Sequence, residues 1–156
     1  MDSAIKYLFT LPARYLNYLQ DAVLLIVRVY VGWQFWKAGV LKLQSWDSTV
    51  FLFQYEYRVP LLSPNLAAIL GTFGELFFPA LLFIGLAGRL AALGLSLVNV
   101  MAVIAYAHVI FSAGQEGSVI PHVVWGVMML TVMAFGSGKI SLDHALTRWK
   151  GEPGQY

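Results

Sequence analysis

The sequence predicts an all-α membrane protein, a bundle of four transmembrane helices, on three observations. The chain of 156 residues is 59% hydrophobic and 12% charged, which is about half the charged fraction of a soluble domain. Its apolar residues fall into four long runs, and four spans of about 20 residues would use about half of the chain. Polar connections separate these runs. The chain has too few charged side chains to cover a water-facing surface, so we expect it to lie in a lipid bilayer.

The first 21 residues predict an interfacial amphipathic segment rather than a span. They mix Leu, Tyr and Phe with the basic Lys6 and Arg14, and Pro12 interrupts them. This mixture is typical of a helix that lies in the plane of the membrane interface. The segment lacks the pattern of a cleaved signal peptide, so we expect the first span to serve as the insertion signal.

Four apolar runs predict a single transmembrane domain over residues 22–136. The predicted spans cover residues 22–41, 66–86, 90–111 and 119–135. Pro79 predicts a kink in the second span, and Gly71 and Gly74 predict the close approach of a neighbouring helix.

Two further short helices are expected outside the spans. Residues 42–65 are polar and aromatic, and their middle is too short to cross a bilayer, so we expect an extra-cytoplasmic interfacial helix or a re-entrant element there. Residues 137–156 form the predicted cytoplasmic tail, in which Ser141 to Asp143 are typical of the N-cap of a helix over residues 143–149.

The distribution of Lys and Arg predicts the orientation. One side of the membrane holds Lys6, Arg14, Arg89, Lys139, Arg148 and Lys150, and the other holds Lys37, Lys42 and Arg58. Basic residues favour the cytoplasmic side. We therefore expect a multi-pass protein of the bacterial inner membrane with both termini in the cytoplasm.

Charge and cysteine content exclude several classes of function. The net charge of +2 is too small to indicate a nucleic-acid partner. Without cysteine, the chain cannot supply disulfides, thiolate metal ligands or a thiol nucleophile. It also carries no self-contained catalytic motif, such as a Ser-centred elbow or His-Glu-x-x-His. The sequence leaves open whether the protein takes part in catalysis as a subunit of an oxidoreductase.

Arg28, Glu75 and Asn99 predict a polar site inside the bundle. Each lies near the middle of a different apolar run, where a charge costs at least about 2.5–3.5 kcal/mol unless it faces protein or water. We expect them to share one site, with Arg28 paired to Glu75 and Asn99 satisfying the remaining lone pairs. The set is either a structural ion pair or a pocket for a headgroup or a proton, and the two interpretations are compatible.

A second polar set is predicted nearer the outer face. Its members are Gln34, Lys37, Tyr106, His108, His122 and Trp125. His108 and His122 flank the outer turn, so they lie on one side of the membrane. They either ligate a haem iron or another metal, relay protons to a quinone, or only form interfacial hydrogen bonds; haem is less favoured than quinone. Likewise, Trp33, Trp36 and Trp125 either belong to an interfacial belt or line a flat apolar ligand.

Motifs in all parts of the bundle together indicate a known family. They comprise Arg28, Gly32 and Gly39-Val-Leu-Lys42-Leu43 in the first span, Glu75 and Gly85 to Arg89 in and after the second, His108, and the closing Gly136, Gly138, Ser141, Leu142 and Asp143. On these residues the chain resembles the DoxX family of small bacterial inner-membrane proteins, over about residues 20–145. The resemblance implies a four-helix membrane bundle with both termini inside.

The resemblance also implies membrane-side redox or sulfur metabolism with a protein partner. Members of the family include a subunit of an archaeal thiosulfate:quinone oxidoreductase and a partner of superoxide dismutase and a thiosulfate sulfurtransferase. Since this chain has no cysteine, a thiol would have to come from the partner.

These features predict a redox-associated membrane subunit with a quinone-like or lipid pocket. In a quinone mechanism Glu75 and His108 are the predicted catalytic residues, because either can exchange protons with the ring oxygens, and Arg28 holds Glu75 ionised. The predicted ligand-binding residues are Arg28, Lys37, Lys42, Glu75, Asn99, His108 and His122.

Two other functions remain open at this stage. The first is a non-catalytic anchor or assembly factor, whose Lys139, Arg148 and Lys150 dock a soluble partner or anionic lipid. The second, which is weaker, is a small transporter, for which a homodimer would supply the missing second half.

Overall fold

A computed structural model describes residues 2–112, 114 and 116–151, and the described part is helical, without strands. The helices are α1 (Asp2–Gln44), α2 (Trp46–Tyr55), α3 (Pro64–Ile84), α4 (Gly88–Ala105), α5 (Ala107–Ile110), α6 (Ile120–Phe135) and α7 (Leu142–Trp149). A 3₁₀ turn, Glu116–Val119, precedes α6. The predicted all-α class is therefore confirmed.

Three of these helices are long and apolar enough to cross a membrane. They are the Leu19–Gln44 part of α1, then α3 and α4. The fourth apolar helix, α6, has 16 residues, about 24 Å at 1.5 Å per residue, whereas a typical hydrocarbon core is about 30 Å thick. The fourth span therefore stays a prediction.

Helix α1 is longer than expected. It runs through Pro12 without the predicted interruption, and its 43 residues give a length of about 65 Å. A proline removes only one backbone donor and locally bends a helix, so the segment before Leu19 is part of the same helix instead of a separate element. Its position at the membrane interface stays a prediction.

The predicted third span is also divided. Helix α4 ends at Ala105, and Tyr106 adopts a non-helical conformation before the single turn of α5. The backbone N–H of Arg58 donates to the Ala105 carbonyl oxygen at 2.8 Å, which ties the connection after α2 to this end of α4. Next to this contact, Tyr57 of that connection packs on Tyr106.

The core lies where α1, α3, α4 and α6 pack in a ring. Each neighbouring pair in that ring is in contact. The buried side chains at its centre are Val31, Phe35, Leu82, Ala91, Ala92, Leu95, Met129 and Val132. A second, smaller cluster lies under α2, where Phe53 packs on Ala67 and Ala68 of α3. Many large apolar side chains face outward, such as Ile26, Leu97 and Val127, as expected where the surrounding medium is lipid.

Glycines set the register between helices. A Cβ on Gly39 would lie 2.8 Å from Leu76 and 3.1 Å from the Glu75 Cβ, and one on Gly74 would lie 2.7 Å from Val98. The contact at Gly74 confirms the predicted close approach. The contact at Gly39 brings the end of α1 against the middle of α3, which decides the partner of Glu75.

Candidate functional site

Arg28 is fully buried, but its guanidinium does not contact Glu75. Nη1 donates to the Leu82 carbonyl oxygen at 3.1 Å and Nη2 to the Ile140 carbonyl oxygen at 2.6 Å. Leu82 lies in the last turn of α3, at the negative end of the helix dipole, which attracts a cation; its carbonyl oxygen also accepts from the Gly85 N–H at 3.2 Å. Arg28 thus joins the end of α3 to the segment that follows α6, and the predicted pairing of Arg28 with Glu75 was wrong.

The partner of Glu75 is Lys42. The ammonium group donates to both carboxylate oxygens, at 2.7 and 2.6 Å, and the two side chains are 17% and 11% exposed. Lys42 lies about 21 Å along α1 from Arg28, because fourteen residues separate them at 1.5 Å each. Arg28 and Glu75 are each near the middle of their own apolar run, but they lie at different depths along the bundle. The reason is that the packing of α1 against α3 sets how far one helix is shifted along the other.

Asn99 belongs to a third polar contact, with His122 of α6. Its Nδ2 donates to the His122 carbonyl oxygen at 2.9 Å, and its Oδ1 lies 2.8 Å from the His122 Nδ1. The expected single site of Arg28, Glu75 and Asn99 is thus three separate contacts, each between different helices or segments. Their roles as ligand-binding residues stay predictions.

The contact with Asn99 determines the tautomer of His122. Because the amide nitrogen of Asn99 donates to a carbonyl, its oxygen must face Nδ1, and that nitrogen carries the proton. In the neutral ring Nε2 is then the acceptor, as in histidines whose other nitrogen is held by a hydrogen bond. The ring is half-buried and packs on Trp125 with centroids 5.0 Å apart.

His108 lies at the exposed end of an aromatic series. Its ring packs on Tyr106 with centroids 5.6 Å apart, Tyr106 packs on Tyr57 at 5.5 Å, and Tyr57 packs on Phe53 at 4.9 Å. Burial raises the pKa of the Tyr57 phenol above 10.0, and the charges of Tyr106 and Glu75 add to the effect.

Glu75, Tyr57, Tyr106 and His108 form what we call the outer relay. It starts at a mostly buried carboxylate and ends at an exposed imidazole. The two predicted catalytic residues, Glu75 and His108, are the two ends of this set, and their catalytic roles stay predictions. Sequence reasoning missed Tyr57, although the aromatic content of residues 42–65 was a signal that this connection is more than a loop.

The two predicted haem ligands have different neighbours. In the described part of the chain the His108 ring contacts Tyr106 and is exposed, whereas the His122 ring contacts Asn99 and Trp125. No group of three or more metal-ligating side chains occurs among the described residues. Joint ligation of a haem or metal by the two histidines stays a prediction.

The predicted tryptophan stripe is divided between two surfaces. Trp33, Trp36 and Lys37 line an open groove of about 310 Å³ on α1, and Trp36 also packs on Phe83 of α3. Trp125 instead packs edge-on against the buried Phe35, with centroids 5.4 Å apart.

The closing segment, residues 136–143, connects the other end of the bundle. Asp143 accepts hydrogen bonds from the backbone N–H groups of Ala87 and Gly88 at 2.7 and 3.0 Å, and from the Ser137 hydroxyl at 2.9 Å. It therefore caps α4 from a distant part of the chain. The Ser141 hydroxyl caps α7 by accepting from the His144 N–H, which confirms the predicted N-cap.

The comparisons with known proteins agree with these motifs. The family model of DoxX matches residues 23–109, more than half of the chain. A protein of Haemophilus influenzae, described as uncharacterized, is 29% identical over 125 residues, which cover 77% of this chain and 80% of that protein. No solved structure gives a significant match. The chain belongs to the DoxX family of membrane proteins.

Proposed function

We propose that this protein is a redox-associated subunit of a membrane complex and that it binds a quinone-like ligand at the outer relay. The observation that carries the proposal is the aromatic series from Tyr57 through Tyr106 to His108, together with the charge of Glu75, which acts on the Tyr57 phenol. Quinone reduction takes up protons together with electrons. A site for it needs hydrogen-bond donors beside apolar surface and groups that carry protons to water.

The side chains around the relay suit a flat ring that carries oxygens. The Lys42 ammonium and the phenols of Tyr57 and Tyr106 are hydrogen-bond donors, and Phe53 adds an aromatic surface beside Tyr57. A bound quinone would supply the two-electron chemistry. The chain would orient the ring oxygens and move protons, with Lys42 rather than Arg28 holding Glu75 ionised.

We place the electron donor on a partner protein, because a chain without cysteine cannot hold an iron–sulfur cluster through thiolates of its own. On the charge-based orientation the relay opens to the outside of the inner membrane. We also propose that two copies of the chain associate. The mass of the purified protein in detergent would test this, and a mass of two chains would support it.

The test is the amount of quinone that co-purifies with the protein in mild detergent, measured by organic extraction and mass spectrometry. Glu75→Gln and Tyr106→Phe should each reduce the bound quinone. For Glu75→Gln we expect about tenfold or more, since the charge-assisted hydrogen bond that holds the Lys42 ammonium in place for a ring oxygen is lost, and such a bond contributes about 1.5–3 kcal/mol. Glu56→Gln is the matched control: it removes an exposed carboxylate one residue from Tyr57 and should leave the amount unchanged.

Two results would overturn the proposal. One is a wild-type protein that carries phospholipid but no quinone, even when quinone is added in excess. The other is equal quinone in wild type, Glu75→Gln and Tyr106→Phe. Tyr106→Phe removes a single hydroxyl group, so this arm remains informative if Glu75→Gln fails to fold.

A non-catalytic anchor is the second candidate function. Arg148 is exposed at the end of α7 and has no ion-pair partner among the described residues, so it is available to a soluble acidic partner. A truncation after Gly138 would not test this cleanly, because it would remove Ile140 and Asp143, which bind Arg28 and α4. Arg148→Glu leaves those contacts intact. Loss of a co-purifying partner in this variant, with quinone absent throughout, would favour the anchor.

A further inference from the structure

A cavity lies at the end of the bundle opposite the outer relay, between the start of α4 and the helix α7. Its volume is about 320 Å³, and it is lined by Ala87, Gly88, Arg89, Leu90, Gly136, Ser137, Asp143, Leu146, Thr147 and Lys150. We propose that this cavity binds the phosphate of an anionic lipid from the adjacent leaflet. On the charge-based orientation this is the cytoplasmic leaflet.

The charges around the cavity favour an anion. Arg89 and Lys150 are exposed, and neither forms an ion pair with any residue in the described ranges. The cavity also contains one carboxylate, that of Asp143. Both of its oxygens already accept hydrogen bonds, from the N–H groups of Ala87 and Gly88 and from the Ser137 hydroxyl, so its charge is largely compensated by the α4 terminus.

The depth of the cavity favours a lipid over a soluble phosphate. Arg89 is the second residue of α4, a helix long and apolar enough to span the membrane, so its guanidinium lies at the level of the headgroups. Below it, Leu90, Leu93 and Leu97 are 69%, 47% and 62% exposed. At a spacing of three and four residues these side chains form one continuous apolar strip, along which an acyl chain can lie.

Helix α7 closes the cavity in an orientation that also suits the membrane surface. Leu142, Leu146 and Trp149 are 40%, 39% and 84% exposed, and their spacing places them on one side of the helix. Such a strip, followed by Lys150, is typical of an interfacial helix with its apolar side towards the acyl chains and its charges among the headgroups. A lipid held between Arg89 and Lys150 would fasten α7 to the start of α4.

The test is native mass spectrometry of the whole protein released from detergent, with phosphatidylglycerol titrated against phosphatidylcholine. The double variant Arg89→Gln/Lys150→Gln should bind phosphatidylglycerol about 30-fold more weakly than wild type, which corresponds to about 1 kcal/mol for each cation. Binding of phosphatidylcholine should change little. Arg148→Gln, which removes an exposed charge of α7 outside the cavity lining, is the matched control and should behave as wild type.

Three results would refute the proposal. The double variant could bind phosphatidylglycerol as tightly as wild type does. Arg148→Gln could lose as much affinity as the double variant, which would indicate general attraction to α7. Inorganic phosphate at millimolar concentration could displace the lipid fully, which would identify a soluble anion as the ligand. Because both variants change exposed side chains at the end remote from the relay, quinone binding reports independently on the proposed function.

Discussion

Replacing Asp143 with alanine should loosen the junction between the closing segment and α4. The carboxylate accepts from two backbone N–H groups at the start of α4 and from the Ser137 hydroxyl. Loss of an N-cap costs about 1 kcal/mol. Ser137 is 1% exposed, so its hydroxyl would be left buried without this acceptor, at a further cost of about 1–3 kcal/mol. We expect the free energy of unfolding to fall by about 3 kcal/mol.

The assay is an unfolding titration with SDS in mixed micelles, followed by circular dichroism. Asp143→Asn keeps the shape of the side chain and one acceptor oxygen, so its loss should be about half as large. Asp47→Ala is the control, because Asp47 is exposed in the first turn of α2 and should change stability by less than about 0.5 kcal/mol. The reasoning is refuted if Asp143→Ala and Asp47→Ala are equally stable.

Three other perturbations probe separate parts of the structure. In the same SDS assay, Lys42→Met or Glu75→Met alone should cost about 3 kcal/mol, and the double variant should return to within about 1 kcal/mol of wild type, because a lone buried charge is costlier than an apolar pair. Gly88→Ala should cost about 2–3 kcal/mol, since its Cβ would overlap the Ser137 Oγ. Burial raises the Tyr57 pKa in the folded state, so the unfolded state releases this proton first and the wild-type protein should lose stability above about pH 10. Tyr57→Phe should abolish this loss.

Each of these has a control or a contradicting result. For Gly88 the control is Gly126→Ala, whose Cβ meets only the Asn99 Nδ2 at 3.8 Å, so the protein should gain up to about 1 kcal/mol. For Tyr57 the control is Tyr55→Phe, because Tyr55 is 71% exposed; an alkaline transition that persists in Tyr57→Phe would contradict the assignment. Additive losses for Lys42 and Glu75 would contradict a direct pair.

Part of the candidate site could be predicted from the sequence and part could not. A charge in an apolar run must be buried against protein, so Arg28 and Glu75 were identified as buried from their positions alone. Their partners could not be identified in this way. Arg28 binds two carbonyl oxygens, which every residue carries, and Glu75 binds Lys42, which the sequence suggested only as a basic residue of the outer side and a ligand-binding residue.

The connection after α2 illustrates the same limit. Its aromatic residues indicated an ordered element, and α2 is a helix. Tyr57 packs on Tyr106, next to the hydrogen bond from the Arg58 N–H to the Ala105 carbonyl oxygen, a contact between residues 47 positions apart. Loop closure of this kind leaves no periodic pattern in a sequence.

By itself, the sequence determined the family, the helical class and the apolar segments, because a bilayer requires long apolar runs with internally satisfied backbones. It also determined the N-cap at Ser141, because capping is local. Only the tertiary structure decided which polar groups meet. The depth of a residue depends on how its helix is shifted against its neighbours, and that shift is set by close contacts such as the one at Gly39, which no single helix encodes.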